Sequence, residues 1–503
     1  MSSPAKFQEK GLYLLIFVMF LLIFVRFINL NKIPIFIDEQ AHLRMGEVSL
    51  NGFGNLFFPV SNRIFPVVPW ILGISQILFG NVVNYLVLGR AFMVIADILS
   101  ALFVYMIGKE IFDRKYGILA TIVYLSLPLN FFHSRLVLLE PITFMFFIGA
   151  LYFFIKNRFK NYSKLPLTQS GLIGSFLALS FLSKPTALVL FTAFPIILIN
   201  SWVNTKTKSI AQIAKDLLPL LLIVCIGIAV AVLVTFSAWS KFSDLLVWNN
   251  PASIVPIFKK NLWLTWWWLK AYVTMPIIAL SLLATIFSLL SKMWRISWIY
   301  LWFGAIVILN SLLAIFFFPR HLYFLAFPIS LLTAYILYEL SKRTSQFIWI
   351  PFIFFFLVIA WKVDFQIVAN PQIAPIALED KQQFFEDWTS GVGLDGVSSQ
   401  LQKISRDKKI LVFTEADESF GWALTHLYNI GNTTIIESEM LNDRRSMLNL
   451  PKKDNIYVVL NREPDPPQGW PLELVGAYPK HTERRYIKIY KYQGEFKNLR
   501  SAT

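Results

Sequence analysis

The stretch "NKIPIFIDEQAHLRMGE" (residues 31–47) sets Asp38 and Glu39 side by side, with His42 and Arg44 close behind, just past an apolar run that ends at Leu30. An acidic pair at the mouth of a hydrophobic segment raises two questions. One is whether that segment crosses a membrane, and the other is what the carboxylates do at its end.

The composition answers the first. Of 503 residues, 56% are hydrophobic, with 47 Phe, 16 Trp and a mean hydropathy of +0.58. This exceeds what a soluble core needs and marks an integral membrane protein. Residues 1–365 hold 29 Lys/Arg against 12 Asp/Glu, and the remainder holds 17 against 18, so the net charge of +16 belongs to the apolar part. Those basic residues fall in short loops, as positive-inside topology requires, which removes the case for a nucleic-acid partner. The single cysteine, Cys225 in "LLLIVCIGIAV", can form no internal disulfide and reads as a packed apolar side chain. No small-residue cleavage site follows the first apolar run, which therefore reads as a retained span.

Apolar segments long enough to cross the hydrocarbon layer lie near 11–30, 82–108, 117–132, 137–155, 170–183, 185–203, 216–237, 275–291, 297–318, 321–340 and 347–364. With a cytoplasmic N-terminus, every inner loop is basic, as with Lys109, Arg114 and Lys115 or Lys342 and Arg343. Eleven spans then place the C-terminal part outside the cell membrane, on the same side as "IFIDEQAH". From residue 366 the pattern changes. "ILVFTEADES", "TTIIES" and "NIYVVLN" read as short strands, with "DGVSSQLQKIS" helical between them. The expected architecture is a multi-span all-α membrane domain over residues 1–365 and a small extracytoplasmic α/β domain over residues 366–503. Two outer loops are long. Residues 31–81 contain the short helices "QAHLRMGEVSL" and "PWILGISQILF", and residues 238–274 contain "NLWLTWWWLK", whose tryptophans read as an interfacial belt.

Ionisable groups are expensive at membrane depth, so those outside the inner loops are the candidates for chemistry: Asp38, Glu39, Arg63, Arg135, Glu140, Lys184 and Arg320. They sit at five outer helix ends and can meet only if the helices ring a cavity open to the outer surface. Carboxylates mixed with cations suit an acceptor that must lose a proton and a donor that bears phosphate. Asp38 reads either as the N-cap of the helix that follows or, with Glu39, as a base or metal site. His42 shares their helical side and is a structural histidine or an acid/base or metal group. Arg44 reads as a solvated or headgroup contact. Arg135 and Glu140, in "SRLVLLEP", form an ion pair at a helix entrance or belong to a donor site. Lys184, in "LSKPTAL", has no carboxylate adjacent in sequence and either meets a lipid phosphate or snorkels to the interface. Arg320 in "FPRHLYFLAFP" could fork onto a phosphate, with Tyr323 as a neutral donor, or anchor the helix at the interface. Arg90 and Asp97 are two turns apart and read as a structural polar pair.

This arrangement resembles the GT-C membrane glycosyltransferases, and within them the protein O-mannosyltransferase and aminoarabinose transferase kind. The resemblance rests on "DE" at 38–39, "SRLVLLEP" at 134–141, "SKPTAL" at 183–188 and "RHLYFLAFP" at 320–328, in that order, over residues 1–365. His321 stands where the family usually has tyrosine, and Glu140 where aspartate is common. The resemblance implies transfer of a hexose such as mannose from a polyprenyl-phosphate donor to a hydroxyl of a protein, lipid or glycan at the outer face. It implies Asp38 as general base and Glu39 as its support. Arg135, Lys184 and Arg320, with Tyr323, would hold the phosphate, and His42, Glu140, His321 and Arg63 would support the site. No cofactor is certain from the sequence; a divalent metal, if one takes part, would fall to Glu39 and His42.

Other classes are open at this point. A flippase or transporter of lipid-linked glycans would place ionisable residues near mid-span and show two related halves, neither of which the sequence has. An oligosaccharide ligase would share donor and location. No GxxxxGK[ST] or GxGxxG loop is present, so no nucleotide site is expected.

Overall fold

The computed structural model describes residues 4–52, 55–56, 65–80, 82–158, 167–205, 222–223, 225–227, 229, 254–314, 316–416, 420–428, 430–443, 450, 455–482 and 484–494. Contacts divide the chain into two units. The first comprises residues 1–30, 45–78 and 88–377, and the second residues 31–44, 79–87 and 378–503.

The first unit is helical because an apolar segment in hydrocarbon must satisfy its own backbone. Four described helices are long and apolar enough to cross a membrane by themselves: Tyr85–Ile111, Arg295–Leu313, Pro319–Arg343 and Phe347–Ala369. A fifth candidate is the pair Ile254–Tyr272 and Met275–Leu290, bent by 115°. The exterior carries large apolar side chains such as Phe17, Leu283, Leu290, Phe347 and Phe355, the surface a bilayer solvates.

Several expected spans are broken. The segment 117–132 divides into helices Arg114–Leu125 and Pro128–His133, since Pro128 lacks the N–H that would continue the first. Asp113 starts the first of these by accepting the Tyr116 N–H at 3.0 Å. The segment 185–203 is a single turn, Ala187–Leu190, followed by helix Ala193–Thr205. "PRHLYFL" is a 3₁₀ turn that leads into helix Ala326–Arg343. Close packing is visible at Gly117, where a Cβ would meet the Tyr105 carbonyl oxygen at 2.6 Å. Most of the segment 216–237 lies outside the described residues. Cys225 is exposed, contrary to the packed role expected for it.

The outer loop expected over 238–274 contains a 19-residue helix, Ile254–Tyr272. Trp263, Trp266 and Trp267 are exposed on it, whereas Trp268, Leu269 and Tyr272 are buried. The helix buries one face and exposes the other.

The second unit is built on a five-stranded sheet of order β2-β1-β3-β5-β4, from β1 (Ile410–Glu415), β2 (Thr433–Ser438), β3 (Ile456–Leu460), β4 (Leu472–Pro479) and β5 (Tyr486–Tyr492). β1 runs parallel to β2 and β3, and the β3–β5 and β5–β4 pairs are antiparallel. β3 is buried throughout, and Phe413, Leu441, Ile456, Val458 and Leu460 form the core of one face. Helix Leu394–Ser405 buries Leu394, Val397, Ser398, Leu401 and Ser405, a single helical stripe. Residues 31–44 join this unit through an isolated antiparallel bridge between Phe36 and Ser390.

Candidate active site

The acidic pair lies in the second unit. Helix Ile37–Ser49 starts two residues earlier than Asp38 would need in order to cap it, so Phe36 is the N-cap and Asp38 lies inside the first turn. Glu39, fully buried, takes the capping role instead by accepting the Phe36 N–H at 3.0 Å, the reciprocal half of a capping box. Asp38 is half-buried. His42 is buried one turn on, on the same side as Asp38 and Glu39. Arg44 keeps about a third of its side chain exposed, and its Nη1 donates to Glu437 Oε2 at 2.7 Å.

A second group lies in the first unit. Glu140 begins helix Glu140–Arg158, and Lys184 Nζ donates to its Oε1 at 2.5 Å. The expected Arg135–Glu140 pair does not form, and Lys184 does have a carboxylate beside it, supplied by another helix. Arg320 is a further cation that acts on Glu140, and the His321 ring acts on it too. His321 accepts the Phe318 N–H at Nδ1, at 3.1 Å, which leaves its proton on Nε2. His133, which sequence reading did not single out, acts on His321 as well and packs against Tyr272 at 5.3 Å. Lys184, Glu140, Arg320 and His321 thus form one mixed-charge cluster from three separate stretches of chain.

Two residues expected at the phosphate are committed elsewhere. Tyr323 is buried and its hydroxyl donates to Asp97 Oδ1 at 2.5 Å. Arg135 is buried and donates to the carbonyls of Arg26 (2.8 Å), Ile28 (2.7 Å) and Asn29 (3.2 Å). Asp97 pairs with Arg26 rather than with Arg90, and also accepts from Tyr124 at 2.7 Å. Arg90 instead donates to the Leu30 carbonyl at 2.6 Å. Asp364 is a second buried carboxylate near Arg26 and Arg135. Arg90 and Arg135 thus satisfy carbonyls of the turn, residues 26–30, that follows the first helix.

Among the described residues, no three His, Cys, Asp or Glu side chains gather as a metal site would need. Glu39 and His42 offer two donors on one helix, and one Glu39 oxygen already accepts a backbone N–H. The described donor set does not fit a resident divalent ion. Arg63 lies outside the described residues.

The family model described as dolichyl-phosphate-mannose-protein mannosyltransferase matches residues 63–239. This interval contains Arg90, Asp97, Arg135, Glu140 and Lys184; the acidic pair and residues 320–328 lie outside it. Comparison with curated proteins finds no match. Among solved structures, the chain is similar to ArnT from Cupriavidus metallidurans bound to undecaprenyl phosphate, at 10% identity over 97% of this chain and 98% of that one, with a TM-score of 0.55. It is also similar to the oligosaccharyltransferase AglB from Archaeoglobus fulgidus, in complex with an inhibitory peptide and a dolichol-phosphate, at 12% identity over 89% of this chain and 69% of that one, with a TM-score of 0.51. The chain carries the fold of the GT-C membrane glycosyltransferases. With the family match, this bears out the reading of it as a membrane glycosyltransferase.

Proposed function

We propose that the protein moves a hexose, mannose or a similar sugar, from a polyprenyl-phosphate donor to an acceptor hydroxyl at the outer face of the cell membrane. In this reading residues 1–365 bind the donor, the N-terminus is cytoplasmic, and residues 366–503 form an extracytoplasmic domain. Asp38 removes the proton of the acceptor hydroxyl, whose oxygen attacks the anomeric carbon. The bond from that carbon to the phosphate oxygen breaks, and the phosphate leaves with the electron pair.

The observation that carries the proposal is the Lys184–Glu140–Arg320–His321 cluster in a chain of this fold. A polyprenyl-phosphate sugar is a phosphodiester with one negative charge, and its product is a monoester with nearly two. Cations placed at that phosphate stabilise the charge that appears as the bond breaks. Lys184 and Arg320 supply them, and Glu140 offsets one in the resting state, so the cluster is matched to a monoanion and gains on the developing dianion.

The test is incubation of the purified protein with synthetic polyprenyl-phosphate sugars and a panel of acceptors. Sugar transfer supports the proposal. Absence of transfer with every donor, together with movement of lipid-linked sugar across liposomes, replaces it with a transport role.

A further inference from the structure

Residues 35–37, just ahead of Asp38, are held by residues 389–391. Ile37 N–H donates to the Thr389 carbonyl at 3.0 Å, and Gly391 N–H donates to the Ile35 carbonyl at 2.7 Å, around the Phe36–Ser390 bridge. The contact is too close for any side chain at position 391, since a Cβ there would meet both Ile35 Cγ2 and the Ile35 carbonyl oxygen at 2.6 Å. Residues 389–391 are themselves tied down. Ser390 Oγ donates to the Phe384 carbonyl at 2.7 Å, Thr389 Oγ1 to that of Gln383 at 2.8 Å, and the buried Lys480 ammonium to that of Ser390. The Phe36 ring packs on Phe384, with centroids 4.6 Å apart.

The other side of Asp38 is held as well. The Ala423 N–H donates to Gln40 Oε1 at 3.2 Å, the Tyr85 hydroxyl to the Leu43 carbonyl at 3.2 Å, and Arg44 pairs with Glu437. Asp38 therefore stands on a helical turn with attachments both before and after it, most of them supplied by residues 378–503.

We infer that the C-terminal α/β domain is a working part of the transferase that sets the position of Asp38, with Gly391 and Lys480 as positioning residues. The inference rests on the assignment of Asp38 as base. A general base must come within hydrogen-bond reach of the proton it removes, and a misplacement of about 1 Å can cost roughly a hundredfold in rate. The strap between residues 35–37 and 389–391 controls that placement through backbone geometry alone, without a side chain that meets substrate.

The test uses the full-length protein in detergent or nanodiscs, with single-turnover transfer measured at saturating donor and acceptor and donor affinity measured separately. Gly391→Ala and Lys480→Met are expected to slow transfer by roughly ten- to a hundredfold with donor affinity within about twofold of wild type. Asp38→Glu, one methylene longer, should recover part of the rate in the Gly391→Ala background while slowing the wild-type enzyme, which a general loss of stability would not produce. Should Gly391→Ala fail to fold, a Cys225→Ala, Phe36→Cys, Ser390→Cys chain closes the strap covalently, and the oxidised form should turn over like the reduced one. The inference is overturned if both single variants keep wild-type rates although the Gly391 amide has lost its protection from hydrogen exchange. It is likewise overturned if oxidation of the paired cysteines abolishes transfer. Full activity in Asp38→Asn removes the base assignment itself, whereas an inactive Asp38→Asn beside a wild-type Gly391→Ala removes only the positioning role.

Discussion

Lys184 and Asp97 show how far a single charged residue can be read before its partner is known. Lys184 was expected to need an external anion, and its nearest charge is Glu140, 44 positions away in sequence. Asp97 was paired with Arg90 by helical spacing, and its ion-pair partner is Arg26, just past the end of the first helix. The spacing along one helix was legible; which helices pack together was not, because apolar segments carry no pairing code strong enough to read from one chain. The roles that follow are testable. Glu140→Gln leaves Lys184 with its full charge toward the phosphate, so donor binding should tighten and product release slow, with KM and kcat both lowered. Lys184→Met should raise the donor dissociation constant by tenfold or more, the loss of a charge-assisted contact of about 1.5–3 kcal/mol, in direct binding measurements. Tyr323→Phe should leave donor affinity unchanged and lower stability by about 1–3 kcal/mol in thermal unfolding, because it removes a buried hydrogen bond to Asp97.

At the level of secondary structure, the sequence reading recovered β1, β2, β3, helix Leu394–Ser405 and both short helices within residues 31–81. It passed over β4 and β5. "LELVGAYP" is interrupted at Leu474/Gly476 by a register shift, and "YIKIYKY" buries only Ile487, Ile489 and Tyr490 while its lysines stay more accessible, so neither presents a run of buried apolar residues. Helix Ile254–Tyr272 was hidden for a different reason, since a run of tryptophans suits a membrane interface whether the backbone there is coiled or helical. That helix gives a direct measurement. Brominated lipids should quench Trp263, Trp266 and Trp267 most strongly when the bromine sits near the headgroups, and replacing the three with Phe should remove that component while Trp268 stays shielded.

For the molecule as a whole, the division into two units was only half visible. The change in composition near residue 366 announced a second domain, but nothing in the spacing showed that residues 31–44 would group with residues 378–503. The clearest global signature is set by Lys480, whose burial pulls its ammonium down from 10.5 to about 7, with Asp387 opposing the shift. Between pH 7 and 10.5 the unfolded chain binds a proton that the folded domain does not, so stability rises with pH across that window, by at most about 1.4 kcal/mol per unit. Lys480→Met should flatten this slope in hydrogen-exchange or chemical-denaturation measurements that follow the five-stranded sheet.

The whole reading turns on a carboxylate that takes a proton from the acceptor while cations take up the charge left on the phosphate. Single-turnover transfer from a synthetic polyprenyl-phosphate hexose, compared between wild type and Asp38→Asn at equal donor occupancy, addresses it with one number. A fall of at least roughly a hundredfold with unchanged donor affinity is expected; equal rates in the two proteins would show that the proton leaves by another route.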